Sequence, residues 1–250
     1  MPARLLLAEM TREQIREVAP TTIAILPTAS TEQHGPHLPI CTDATICEAV
    51  CRQAAEGASA EVSVTVAPAL VYGISDHHRP YPGVLSLPSV TFIQVVSDVA
   101  AGLIASGFRK LLIVNGHGGN EEAVRIVARD LANSHPVAVA ATDYYIFASA
   151  SLAVAEALSV GPVPGHAGHF ETSLMLALRP DLVAGRPEAG AGRYVPSPRP
   201  GVTLARAGAR IGDGPGHTDD ASRASADLGR RLLDAIAGEL AAFLREFAAV

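Results

Sequence analysis

A chain of 250 residues, 48% of them hydrophobic, is long enough to bury a sizeable core and has the length of one large domain or two small ones. A formal net charge of −6, with Lys and Arg scattered rather than clustered, excludes nucleic-acid binding as the main role. Cys41, Cys47 and Cys51 form no disulfide framework and suit a reducing compartment, and no apolar run reaches membrane-spanning length.

The start, MPARLLLAEMTREQ, lacks a signal-peptide pattern, so a cytoplasmic location without membrane contact is expected. Thr11 to Gln14 has the spacing of a capping box at the start of a short helix. Thr21 to Pro27 reads as a buried strand, and a loop bearing Pro and Gly follows to Thr42. Asp43 is expected to cap a helix running to about Gly57. Glu61 to Ala67 alternates as a strand, and a long loop carrying GISDHHRPYPG runs from Pro68 to Pro88. Ser89 is expected to cap a helix through Ala105. Lys110 to Val114 is a strand and NGHGGN the turn after it, with Glu121 and Glu122 in the first turn of the next helix, where acids suit the dipole. Pro136 to Ala141 is a further strand, Gly161 to His169 a loop and Phe170 to Leu178 a short helix. Residues 184–217, rich in Gly, Pro and Arg, form a long arm or an oligomer contact. Asp219 or Asp220 opens a final amphipathic helix to about Phe247.

Strands alternating with helices imply an α/β fold, a mostly parallel sheet with helices on both faces, built as one domain over residues 1–250. Sites in such sheets gather at the carboxyl ends of strands. Glu32, His34, Asp43 and His117 all fall there, and all are donors suited to a divalent ion. Glu32 and His34, two apart in an extended segment, point to one side. Asp43 can offer one oxygen to each of two metals. His166, His169 and Glu171, in GHAGHFETS, include a residue able to complete the metal shell and another able to protonate a leaving nitrogen.

His37 suits an outer hydrogen bond rather than ligation. Of the adjacent His77 and His78, at most one is expected to enter the site, with His77 touching substrate or a ligand. Asn115 and Asn120 bracket the glycine turn and are expected to fix it. Cys47 and Cys51 read as packing residues, and His217 receives no role. NGHGGN lacks the Lys-Ser/Thr of a phosphate loop, and no G-x-S-x-G elbow is present.

Four segments, LPTASTEQHGPHLPICTD, GISDHHRPYPGVLSL, VNGHGGN and HAGHFETSLMLALRPDLV, appear in the order and spacing of the creatininase family, the creatinine amidohydrolases and related metal-dependent amidases. The chain is similar to that family from about residue 5 to 183. The resemblance implies a three-layer α/β/α domain, two divalent metal ions and a homo-oligomer, commonly a hexamer. It implies that Glu32, His34, Asp43 and His117 bind metal, that Asp43 bridges, and that His166 is placed for proton transfer. Creatininases carry N-G-H-Y-E-N at the turn, with its Glu as a further ligand. This chain has Gly119 there, and Glu171 is the nearest replacement, as a ligand or to orient water. Gly165 before His166 and the absence of Trp also depart from the creatinine-cleaving pattern. The glycine turn resembles the branches that include the mycofactocin-system peptidase and a deformylase.

The expected function is metal-dependent hydrolysis of a C–N bond in a small amide, cyclic amide or formamide. Metal-bound hydroxide would attack the carbonyl, with zinc foremost among the metals and manganese or iron as alternatives. A peptidase trimming a short modified peptide, and a noncatalytic metal- or ligand-binding protein, are the other readings.

Overall fold

The computed structural model describes residues 5–148, 152–185 and 214–250. Four strands, β1 (Ile23–Thr28), β2 (Val64–Val66), β3 (Lys110–Asn115) and β4 (Ala138–Asp143), pair in parallel in the order β2-β1-β3-β4. Helices α1 (Arg12–Val18), α2 (Thr42–Ala58), α3 (Ser89–Ala105), α4 (Glu121–Ser134), α5 (Leu152–Leu158), α6 (His169–Leu178) and α7 (Ala226–Ala248) cover both faces.

The central strands are hydrophobic on both sides, as a sheet covered on both faces requires. Ile23 and Ile25 of β1 and Leu112 and Val114 of β3 pack with α2, α6 and α7. The residues between them, Ala24 and Leu26, Leu111 and Ile113, pack with α3 and α4. The three-layer α/β arrangement expected from the strand–helix alternation is what the chain adopts. Cys47 and Cys51 are fully buried in the first of these clusters, as packing residues.

Several boundaries differ from expectation, each for a local reason. Thr11 does form a capping box with Gln14. Asp43, however, does not cap α2: Cys41 occupies the N-cap with no side-chain bond, and Asp43 lies inside the first turn with its carboxylate turned toward the site. Ser89 does not cap either, since Pro88 holds that position. Strand β4 ends two residues later than expected because Asp143 stays in register with Asn115. Helix α7 starts only at Ala226, where the Ser225 hydroxyl accepts the Leu228 N–H at 3.2 Å. Asp220 instead caps a single 3-10 turn, and Asp219 turns inward. The 3-10 turn Tyr144–Ala148 and helix α5 were not expected.

All of the long arm expected over 184–217 except its ends falls on residues 186–213, outside the described residues. At its start, Ala184 donates its N–H to the His37 carbonyl at 2.8 Å. At its end, the Gly214 carbonyl accepts from the Tyr81 hydroxyl at 2.8 Å. No helix among the described residues is long and apolar enough to cross a membrane.

Candidate metal centre and its family

The carboxyl ends of β1 and β3 bring two loops side by side. Thr28, Asn115 and Asp143 stand in register across β1, β3 and β4. Asn115 spends all of its amide on this corner. Its Nδ2 donates to the His117 carbonyl and to Asp143, both at 2.7 Å. Its Oδ1 accepts from the His117 N–H at 3.2 Å and from Asn120 at 3.2 Å. Asn120 ties the turn to the Ala29 carbonyl at 3.1 Å and accepts from the Ile74 N–H at 2.9 Å. Both asparagines thus fix the loop, as their position suggested.

Inside this frame lie Glu32, His34, Asp43, His117 and Glu171, all at least 96% buried. The Asp43 carboxylate splits between two imidazoles, with Oδ1 3.0 Å from Nε2 of His34 and Oδ2 3.2 Å from Nδ1 of His117. Glu32 Oε1 is also 3.2 Å from that His117 nitrogen. Glu171 lies on the other side, 3.8 Å from His34 Nε2. Each imidazole is aimed by its remote nitrogen: His34 Nδ1 donates to the Glu32 carbonyl at 3.1 Å and His117 Nε2 to the Ile74 carbonyl at 3.0 Å. Such outer bonds fix ring orientation and tautomer at metal sites.

The electrostatics match groups awaiting a cation. Burial opposes a charged His34, yet Asp43, Glu171 and Glu32 outweigh it and push its pKa up to about 10. Burial likewise opposes a charged His117, and Glu32 and Asp43 raise it well above the usual imidazole range. Burial would raise Glu32, but His117 and His78 hold it well below the ordinary carboxylate range. Glu171 is pushed up to about 8, mainly by burial, with His34 opposing. Among the described residues, buried Glu32 Oε1 and Oε2, His34 Nε2 and Asp43 Oδ2 have no hydrogen-bond partner. Unsatisfied buried polar atoms are rare in folded proteins. Oxygen and imidazole donors left open toward one another fit a divalent ion. Sets of donor atoms within 4.8 Å of one another include His34, Asp43 and Glu171, then Glu32, His77 and His117, and then Glu32, His34 and His166.

Residues 8–244 match the creatininase family, described as creatinine amidohydrolase. The chain belongs to the creatininase family. A mycofactocin precursor peptide peptidase of Mycolicibacterium smegmatis is 35% identical over 187 residues, which are 71% of this chain and 65% of that protein. The chain therefore spans just under two thirds of that relative. A peptidase of the same name from Mycobacterium tuberculosis is 31% identical over 92% of this chain and 86% of its own. A creatinine amidohydrolase of Pseudomonas putida is 32% identical over 68% of this chain and 69% of its own. Among solved structures, a creatinine amidohydrolase superposes with a TM-score of 0.81 at 27% identity, covering 97% of each chain. A manganese form of creatininase gives 0.77 at 27% identity, over 97% of this chain and 98% of that one. A creatininase mutant titled as a Zn-Zn type gives 0.79 at 27% identity, over 97% of each.

The five residues expected to carry metal in a creatininase-family chain, Glu32, His34, Asp43, His117 and Glu171, are brought into one cluster. His166 joins it rather than standing apart. Its ring lies between those of His34 and His78, each 4.3 Å away by centroid. Its Nε2 donates to the Gln33 carbonyl at 2.9 Å, and its Nδ1 is 3.6 Å from Glu32 Oε1. Burial, then the neighbouring His34 and His78, keep it well below the usual imidazole pKa. His169, the second histidine of that motif, belongs to none of these donor sets, and its backbone N–H donates to Asp219 Oδ2 at 2.8 Å.

Two expectations need correction. His77 and His78 both reach the site, because Asp76–His78 is a 3-10 turn and not a strand, so successive side chains are not thrown to opposite sides. His78 Nε2 faces Glu32 Oε1 at 3.2 Å, and its Nδ1 accepts from the Gln33 amide at 2.9 Å. Sequence reasoning read past Gln33, whose Oε1 also accepts the Gly35 N–H at 2.9 Å. Its place between two donors of the E-x-H motif was the available signal. His217, given no role, is buried beside His37, with ring centroids 6.0 Å apart. His37 itself makes the outer hydrogen bond expected of it, to the Thr172 hydroxyl at 2.9 Å.

The glycine turn also has a steric basis. A Cβ on Gly119 would overlap the Ile74 carbonyl oxygen and come within 2.5 Å of His117 Nε2. The backbone there lies against the ring it helps to present. At the other side of the cluster, Ala167 adopts a φ of +49°, a left-handed conformation costly for a residue with a Cβ. Its N–H donates to Glu171 Oε2 at 2.5 Å. Local strain and a carboxylate bond therefore meet beside His166.

Proposed function

We propose that this chain is a divalent-metal-dependent hydrolase that opens a C–N bond of a small amide, cyclic amide or formamide. The observation that carries this reading is the divided Asp43 carboxylate, one oxygen toward His34 and the other toward His117. Glu32 and Glu171 flank it and are buried. Glu32, His34, Asp43, His117 and Glu171 would hold two ions, with Asp43 shared. Zinc is the first choice and manganese or iron the alternatives, in keeping with solved relatives in Zn-Zn and Mn forms. Bound divalent ions polarise a carbonyl and make water acidic near neutral pH.

The chain's own residues supply the rest. His166, neutral because it is buried among imidazoles, can take a proton at Nδ1 and later give it to a leaving nitrogen. Its Nε2 meets the Gln33 carbonyl at 2.9 Å and the Gln33 side-chain amide at 3.1 Å, so that Nδ1 is the nitrogen turned toward Glu32. Glu171 is placed to ligate or, when protonated, to orient water. The deep burial of the donor groups favours a small substrate or a chain end over the middle of a long polypeptide.

A peptide substrate is the second reading, favoured by relatives named mycofactocin precursor peptide peptidase at 35% and 31% identity. Gly165 and the absence of Trp weigh against creatinine itself. The expected homo-oligomer is part of the proposal and is read from the light-scattering mass of the native protein.

The test is metal analysis followed by a hydrolysis panel of lactams, formamides and short peptides. About two divalent ions per chain, and their loss in Asp43→Ala, are expected. Full metal occupancy in that variant removes the shared-carboxylate role. Less than one ion per chain, with no hydrolysis in the panel, favours a noncatalytic binding protein.

A further inference from the structure

His77 stands outside the five donors that the family pattern matches, yet it lies at the same cluster. One of its ring nitrogens is within 4.8 Å of both a Glu32 oxygen and a His117 nitrogen. Its ring is nearly parallel to that of His117, at 14° and a centroid distance of 5.6 Å. A second set of the same tightness consists of His34, Asp43 and Glu171. Asp43 stands between the two sets and sends one oxygen to each. The two halves of the cluster therefore differ in chemistry. One offers a single imidazole and two carboxylates. The other offers Glu32, one oxygen of Asp43 and two imidazoles.

Resting on the metal-dependent reading, we propose that His77 is a metal ligand of this chain, joining Glu32 and His117 at a nitrogen-rich position distinct from the oxygen-rich His34–Asp43–Glu171 position. The local backbone makes the approach natural. The 3-10 turn is closed by the His78 N–H on the Ser75 carbonyl at 2.9 Å and the Arg79 N–H on the Asp76 carbonyl at 3.2 Å. The residue leading into that turn, Ile74, is fastened to His117 by its carbonyl at 3.0 Å. The strand end that presents His117 and the turn that presents His77 are thus tied to each other. His77 is only half-buried, at the rim of the cluster.

The consequence is selectivity. Imidazole suits zinc and iron, whereas carboxylates suit manganese, and stability with nitrogen donors rises toward copper and zinc. Offered both metals, the chain takes zinc at the Glu32–His77–His117 position and manganese at the other.

The experiment is a zinc titration of metal-stripped protein by calorimetry, with elemental analysis of the loaded form, on the wild type and on His77→Ala. Two binding steps are expected in the wild type. In the variant one step weakens by about 100-fold or more and the other is unchanged, since losing even an outer partner weakens metal sites by roughly 10–100-fold. The visible spectrum of the cobalt form, recorded at one equivalent, shifts in the variant as a nitrogen donor is lost. Two unchanged steps and an unchanged cobalt spectrum overturn the proposal and leave the metal-dependent reading standing. A wild type that takes up no divalent ion sinks that reading instead. Should His77→Ala lose its fold, echo-modulation resonance on wild-type protein with one equivalent of copper decides. Signals from two coordinated imidazoles support the proposal and a single one overturns it.

Discussion

Thr218 and His166 grip each other through one side-chain and one backbone bond: the His166 N–H donates to the Thr218 hydroxyl at 2.8 Å, and the Thr218 N–H to the His166 carbonyl at 2.9 Å. The Thr218 hydroxyl also bonds Asp219 Oδ1 at 2.8 Å, and Asp219 fills the space that a Cβ on Gly161 or Gly168 would take. The loop carrying His166 is thus seated on a segment more than fifty residues later. Thr218→Val leaves the His166 N–H without its partner in a buried place. It should destabilise the protein by about 1–3 kcal/mol, read from urea unfolding, and lower turnover while the metal content stays at the wild-type level. Wild-type stability would show that the clamp is dispensable.

Divalent metal should displace protons. Without an ion, His34 with its pKa near 10, the raised His117 and Glu171 near 8 all hold protons at pH 7. A cation competes with them, so its affinity rises with pH through that range and proton release is measurable. Calorimetry at pH 7 in two buffers of different ionisation enthalpy should give enthalpies that differ by the buffers' own proton heats. Identical enthalpies in both buffers would count against a site held by these residues.

His166→Ala should keep its metal and lose activity by about 10²–10⁴-fold, the usual contribution of a general acid or base. Turnover equal to wild type on the best substrate of the panel would remove His166 from the chemistry.

His37 gives the metal-free protein an acid-side weakness. Burial, then the neighbouring His217 and His34, lower its pKa from 6.5 to about 4. Between those values the unfolded chain holds more protons at this residue than the folded one. Its contribution to stability is therefore complete above pH 6.5 and lost progressively as the pH falls toward 4. His166 and His169 are also lowered and act in the same direction. Denaturant unfolding of metal-free His37→Gln should show a shallower fall across that window than wild type. Parallel curves would refute this share of the effect.

The sheet and most of the donors were legible in the amino-acid order because each rests on a local signal. Strands β1 and β3 are apolar runs flanked by turns, and Glu32, His34 and His117 follow directly from where those runs end. Asp43 was legible both as a helix start and as a carboxylate with one oxygen for each of two partners; only the capping fails, because pairing with two imidazoles outcompetes capping its own backbone. His78, Gln33 and Thr218 were missed because their roles depend on contacts across 45 to 133 positions of sequence. A 3-10 turn at Asp76–His78 also breaks the two-residue alternation used to divide the histidine pair. The departure at Gly119 was visible as a missing carboxylate, but its steric cause required the fold.

That close packing under His117 has an evolutionary corollary. With the Ile74 carbonyl lying where any Cβ at 119 would point, no acidic side chain can be introduced there by exchanging one codon. Converting this branch into one with the glutamate turn demands that the 74–78 segment or the 116–120 backbone move first. Laboratory selection for creatinine cleavage from this scaffold should therefore begin with loop remodelling rather than point mutagenesis.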